Sequence, residues 1–332
     1  MRVRLLSLAL ILLPLCAQNK RILVQGYPAA EVARLQSSAP AGVTIVPVSQ
    51  ANLKVELATA DALIGALNSE LLAAAPRLKW LQTISAGVDN LPLAELRAKG
   101  VTLTNSKIIM GPEIADHAFA LLLSLTRQIN RALSAQASRS WARGGYEPVE
   151  LHGKTAVIIG AGGIGMQIAQ RAKGFGMKVI AVDPKELSMT PLIDQAVTPD
   201  RLDEVLPRAD VIFVSAPLTR QSERMVAARQ FELMKKGAYF IAVSRGRLYD
   251  TAALVKALDS GHLAGAGLDV TDPEPLPSSH PLWQFRNAVI TPHIAGQSDQ
   301  VGGRSMDLFR ENIRRFAAGL PLLNVVDLEK QY

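Results

Sequence analysis

Residues 155–183 read Thr155-Ala-Val-Ile-Ile-Gly160-Ala-Gly162-Gly-Ile-Gly165-Met-Gln-Ile-Ala-Gln-Arg-Ala-Lys-Gly-Phe-Gly-Met-Lys178-Val-Ile-Ala-Val-Asp183. A short apolar run leads into a Gly-x-Gly-x-x-Gly string, a helical stretch follows, and a second apolar run ends on an acid. That order is one strand–helix–strand unit, and each part has its own physical reason. Gly160 permits the tight turn out of the strand, Gly162 lets a pyrophosphate come close to the backbone, and Gly165 lets helix and strand pack closely. Gly163 and Ile164 complete the loop, where the free N–H groups of a helix start carry partial positive charge toward phosphate. Asp183 falls eighteen residues after Gly165, close to the roughly 20 at which an acid meets the ribose hydroxyls of a dinucleotide. Its charge repels a 2′-phosphate, so the reading favours NAD over NADP, although Lys185 nearby weakens that preference.

Outward from this unit the same alternation continues. On the C-terminal side, strands are expected at 211–215, 238–243, 264–268 and 288–291, then a helix at 299–318 that packs back on the first part of the chain. Residues 272–281, rich in Pro and Ser, are expected to be an ordered loop. On the N-terminal side, strands are expected at 21–25, 44–48, 62–64, 78–83 and 101–104, with helices at 30–36 and 93–99. A long apolar helix at 113–132, with Pro112 where its missing N–H does little harm, links the two series. The fold class is therefore α/β: a Rossmann-type doubly wound parallel sheet plus a second, smaller flavodoxin-like α/β unit for substrate. The division expected is a leader at 1–19, a substrate unit at 20–108 plus 299–332, and a nucleotide unit at 109–298.

The whole chain narrows the function further. Its 332 residues are 48% hydrophobic and carry a formal charge of +7, but the basic residues are scattered and form no run, which argues against a nucleic-acid partner. A mildly basic surface suits anionic small molecules. The only cysteine, Cys16, leaves the body of the protein without a disulfide or a cysteine metal site. The histidines (His117, His152, His262, His280, His293) show no metal-ligand spacing, so no metal is expected. Arg2 and Arg4 followed by the apolar stretch Leu5 to Leu13 have the layout of a secretory signal peptide, too short for a membrane anchor. Export is thus expected, with no stable membrane association; a cytoplasmic location is the alternative, because NAD is mainly a cytoplasmic cofactor.

Three later segments each end a strand and carry a polar group: Val243-Ser-Arg245-Gly246, Gly267-Leu-Asp269-Val-Thr-Asp-Pro-Glu274-Pro275 and Thr291-Pro-His293-Ile-Ala-Gly296. Open α/β sheets bind ligands beyond the carboxyl ends of their strands, so Arg245, Glu274 and His293 are candidates to meet in one crevice. A cation, a carboxylate and a proton carrier are the groups needed to hold a 2-keto acid and protonate its carbonyl as hydride arrives.

With Ser85-Ala-Gly-Val-Asp89, Ile114-Ala-Asp-His117 and Ala216-Pro-Leu-Thr219, these segments resemble the D-isomer-specific 2-hydroxyacid dehydrogenase family from about Lys20 to the last helix. The resemblance implies NAD as cofactor, an active site in the cleft between two units, and a homodimer; its contact is expected at the apolar Ala118 to Leu125 helix and the following Ser134 to Tyr146 stretch, with Trp141 near it. It implies catalytic roles for Arg245, Glu274 and His293. It also implies a carboxylate seat at the backbone of Ala86, Gly87 and Val88 working with Arg245, and an NAD site lined by Pro217, Val243, Arg245, Asp269, His293 and Gly296. Two departures from the family pattern, Thr271-Asp-Pro273 before Glu274 and Asp116 where Glu is commoner, leave that set intact. The competing reading is an NAD(H)-sensing, co-repressor-like binding protein on the same fold; turnover of 2-keto acids separates the two.

Overall fold

The computed structural model describes residues 19–141, 143–188 and 190–332; the segment on which the leader expectation rests, 1–18, lies outside them. Two parallel sheets organise the chain. The first has strands β1 (Lys20–Gln25), β2 (Val43–Val48), β3 (Ala62–Ile64), β4 (Trp80–Gln82) and β5 (Thr102–Thr104) in the order β2-β1-β3-β4-β5. That is the flavodoxin-like order. The second has β6 (Thr155–Ile159), β7 (Lys178–Val182), β8 (Gln195–Val197), β9 (Val211–Val214), β10 (Ala238–Ala242), β11 (Leu263–Leu268) and β12 (Ala288–Ile290). Its order, β12-β11-β10-β9-β6-β7-β8, is the dinucleotide-binding order extended by one strand, with the switch point between β6 and β9.

The apolar runs of the second sheet follow from its two covered faces. Val157 and Ile159 enter one core with Val214 and Phe240, while Ala156 and Ile158 enter another with Phe119, Leu122 and Phe213. Phe119 belongs to the helix Gly111–Thr126, which packs on this second sheet and on the helix Gly163–Gly174.

The long helix expected at 113–132 is two helices. The first ends at Thr126, Gln128 takes a left-handed backbone (φ 55°), and a second helix runs Ile129–Ala137 with no buried residue. No Gly or Pro marks the break. Its cause lies farther along the chain, where the Val149 N–H donates to the Thr126 carbonyl at 2.7 Å and the Glu147 N–H donates to the Gln128 side chain at 3.2 Å. The first occupies a carbonyl that a continuing helix would have used, and the second holds the Gln128 side chain at the turn. Strand β8, only three residues long, is an addition that the apolar pattern did not signal.

The chain crosses between the sheets twice, at 105–110 and at 291–300, and the closing helix Val301–Ala318 packs on the first sheet. Its apolar residues recur at helical spacing: Leu308, Phe309 and Ile313 are buried with Ile22, Ile64 and Trp80. Each large side chain so covered contributes about 1.5–3 kcal/mol. A buried polar relay fixes the seat of that helix. The Trp80 indole donates to Thr104 at 2.8 Å, Thr104 donates to Gln82 Oε1 at 2.7 Å, and Asn312 donates to the same oxygen at 3.1 Å. Only the Asn312 bond crosses from the helix to this sheet relay, so sliding the helix would strand that buried amide, at a cost of about 1–3 kcal/mol.

Candidate active site

The carboxyl ends of the second sheet and the loops after β4 and β5 face each other across a cleft of about 1020 Å³. At its floor, Gly160 has φ +91°, and a Cβ there would lie 2.5 Å from the Ala216 backbone, so the β6 and β9 ends meet only through a glycine. Gly165 is set back from the cleft wall. A Cβ there would fall 1.9 Å from the Gly160 carbonyl, so its work is packing of helix on strand. Gly162 is the opposite case: it is exposed, and a Cβ would meet nothing within 4 Å. The loop thus presents bare backbone to open space at the start of helix Gly163–Gly174, which is what a dinucleotide pyrophosphate requires. Gly163 and Ile164 also line the cleft.

Asp183, ending β7, stands where the ribose acid is expected. One carboxylate oxygen accepts the Ala161 N–H at 2.8 Å and the other accepts the Lys185 N–H at 2.9 Å. A carboxylate offers about four acceptor directions, so hydroxyls can still bind. Pro217, Val243, Asp269 and Gly296 all reach the cleft wall, as do Ala86, Gly87 and Val88 from the opposite side. The residues present therefore fit NAD.

Arg245 spans the cleft. Its Nε donates to the two Asp89 oxygens at 3.1 and 3.2 Å, its Nη1 donates to the Ser244 carbonyl at 2.8 Å, and a Cβ on Gly87 would fall 2.1 Å from its Nη2. Asp89 was missed as a partner because it lies 156 residues away. Two of the three guanidinium nitrogens are thus fixed, and the third faces the loop whose backbone is the expected carboxylate seat.

His293 sits on the second crossing with a left-handed backbone (φ 54°), held by its N–H donating to the Asp269 carbonyl at 2.9 Å. Its Nδ1 is 2.8 Å from Glu274 Oε2, and the other Glu274 oxygen accepts the Thr271 N–H at 2.8 Å. Glu274 itself lies behind the histidine rather than on the cleft wall. Gly246, next to Arg245, closes the set mechanically, because a Cβ there would overlap the Thr271 backbone at 2.0 Å. Tyr249, buried under this segment, donates to the Val270 carbonyl at 2.7 Å, and burial together with Glu274 pushes its phenol well above the usual range.

Asp269 has a second set of partners that the strand-end pattern did not reveal. It is 2% exposed and accepts from the Thr291 hydroxyl at 2.6 Å, the Ile294 N–H at 3.0 Å and the Ala295 N–H at 2.9 Å; His117 lies 3.4 Å away. Burial alone would raise its pKa, but the bonds from His117, Thr291 and the two backbone groups outweigh it and hold the carboxyl below its ordinary value. Asp269 therefore stays an acceptor-only group beside the cleft.

Comparison with known proteins agrees with this geometry. Residues 119–295 match the family model described as D-isomer specific 2-hydroxyacid dehydrogenase, NAD binding domain. A glyoxylate reductase from Thermococcus litoralis is 33% identical over 311 residues, covering 91% of each chain. Among solved structures, a glyoxylate reductase from Paecilomyes thermophila superposes with a TM-score of 0.82 at 26% identity, over 94% of this chain and 99% of that one. A D-lactate dehydrogenase from Aquifex aeolicus, complexed with NAD and lactic acid, gives 0.74 at 28% identity over 90% and 96%. The chain belongs to the D-isomer specific 2-hydroxyacid dehydrogenases, and is an NAD-dependent oxidoreductase acting between 2-hydroxy acids and their 2-keto acids.

Proposed function

We propose that this chain reduces a small 2-keto acid of the glyoxylate and hydroxypyruvate kind to the D-2-hydroxy acid, and runs the reverse reaction on the same groups. The observation that carries the proposal is the 2.8 Å contact between His293 Nδ1 and Glu274 on the far side of the cleft from the Gly87 loop. Nδ1–H donates to the carboxylate, which leaves Nε2 as the nitrogen that exchanges a proton with the substrate oxygen. Glu274 orients the ring and stabilises its charged form. Arg245 and the backbone of Ala86, Gly87 and Val88 hold the substrate carboxylate and polarise the C2 carbonyl. When bound, NADH supplies the hydride. The test is NADH oxidation with glyoxylate, hydroxypyruvate and pyruvate, with the configuration of the product determined. An absence of turnover with every acid would leave the NAD(H)-sensing reading standing instead.

Asp183 supports NADH as the preferred reductant, since its charge opposes a 2′-phosphate. Asp183→Ala should weaken NADH binding and improve kcat/KM with NADPH. Equal use of the two cofactors by the unaltered enzyme would remove that role.

A homodimer is part of the same proposal, but not through Ala118 to Leu125, most of whose apolar side chains are buried in the core of the second sheet. Trp141 is 87% exposed, and Leu133 and Ile129 on the helix Ile129–Ala137 are 58% and 46% exposed. An apolar set of this kind off the sheet cores is expected to be covered by a partner. Sedimentation at micromolar concentration with NAD present should give twice the chain mass; a mass of 35.7 kDa or less would contradict it.

A further inference from the structure

Two lysines face the cleft without a carboxylate. Lys107 lies on the first crossing and Lys185 lies two residues beyond Asp183, and both line the cleft wall. Lys54, Lys173, Lys235 and Lys330 each pair with an acid; among the described residues, Lys107 and Lys185 do not. Lys107 is half-buried. Burial lowers its ammonium pKa below the ordinary lysine value, and the charge of Lys185 lowers it further. Two cations held near each other, one partly desolvated, form a place where an anion relieves both penalties.

The backbone explains how Lys107 comes to be there. A Cβ at Gly163 would lie 2.7 Å from the Lys107 carbonyl, and one at Gly111 would lie 2.7 Å from the Gly163 carbonyl. Bare Gly163 thus lets Lys107 of the first crossing rest on the glycine loop, and bare Gly111 lets the start of the helix Gly111–Thr126 do the same. Lys185 is held from the other side, where its Nζ sits 4.3 Å from the centre of the Tyr332 ring. Tyr332 and Gln331 also line the cleft, and Gln331 accepts the Arg220 N–H at 3.2 Å. The root of that tail is fastened to the first sheet, where the Val326 N–H donates to the Leu103 carbonyl at 2.9 Å.

We propose that Lys107 and Lys185 together bind the pyrophosphate of the dinucleotide, as a cation pair built from the first crossing and the end of β7, with Tyr332 aiming Lys185. The glycine loop binds the phosphates with neutral N–H groups, and this pair supplies the full positive charges that the loop lacks. The proposal rests on the reading of the cleft as the NAD site. It adds a reason for the first crossing to sit against the loop: the bound cofactor is gripped from both sheets.

The experiment is titration of NADH and, separately, NADPH by fluorescence, with ADP-ribose and adenosine as competitors, over a range of salt. Lys107→Gln should weaken NADH and ADP-ribose about tenfold or more, as expected for loss of a charge-assisted contact, and flatten the salt dependence of binding. Adenosine, which has no phosphate, should bind as before, and Lys107→Arg should recover most of the affinity. Lys185→Gln should act in the same direction, and Tyr332→Ala more weakly. Unchanged NADH and ADP-ribose affinity in Lys107→Gln would overturn the assignment. So would an equal loss for adenosine, which would mean a structural role, or a loss confined to NADPH, which would place the lysine on a 2′-phosphate. Failure of the unaltered protein to bind NADH would count against the cofactor reading rather than against the lysine pair.

Discussion

Replacing His293 with alanine is expected to lower kcat for keto-acid reduction by about 100-fold or more, the usual size of a general acid–base contribution, while NADH affinity stays nearly intact. The expectation follows from where the ring is tied. One nitrogen is engaged by Glu274 at 2.8 Å, and the backbone is pinned to Asp269, so the other nitrogen has a single orientation toward the cleft. Reduction needs the imidazole protonated and oxidation needs it neutral. Reduction and oxidation should therefore depend on pH in opposite directions. In the alanine variant both dependences should disappear. Glu274→Gln separates the roles: it keeps a hydrogen-bond acceptor but removes the charge, so part of the activity should survive. The measurement is kcat and kcat/KM against pH in both directions. A His293→Ala enzyme with near-normal kcat would end this mechanism.

Arg245→Ala is the second large effect. A hydrogen bond to a charged group is worth about 1.5–3 kcal/mol, and the guanidinium both holds the substrate carboxylate and polarises the carbonyl. Losing both should cut kcat/KM by roughly several-hundred-fold, mainly through KM for the keto acid, with a smaller loss in kcat. Arg245→Lys should recover little, because a lysine keeps the charge without the planar fork that reaches Asp89, the Ser244 carbonyl and the Gly87 loop together. Steady-state kinetics at saturating NADH decide the point. An unchanged KM in Arg245→Ala would mean that the carboxylate is held elsewhere.

Much of this site could be read before any coordinates, for a physical reason. The glycine loop, Asp183, Arg245, Asp269 and His293 all sit at strand ends, and strands covered on both faces announce themselves as apolar runs. Glu274 groups with them by the same strand-end argument, although it stands six residues past its strand on a loop with no periodicity. What stayed hidden depends on contacts between distant residues. The break after Thr126 is made by Glu147 and Val149 rather than by any local breaker. Asp89 and Arg245 share an ion pair but no sequence neighbourhood. Lys107 gains its position because Gly163 lacks a side chain, a fact with meaning only after the first crossing is laid on the loop. Strand β8 escaped because three residues, one of them Gln, are too few to show a period.

The closing helix has a consequence for how the chain comes into being. Its Phe309 and Ile313 cover Ile22 and Trp80, yet about 200 residues separate it from β5. At roughly 5–20 residues per second of synthesis, the part of this face of the first sheet which Val32 and Leu35 of the early helix Ala29–Ser37 do not cover stays bare for on the order of 10–40 s. During that time the second sheet, whose strands are contiguous in the chain, has everything it needs to assemble. The half that is made first is thus finished last, so a ribosome that stalls late in the message releases a chain with a formed nucleotide-binding sheet and an open, adhesive substrate half.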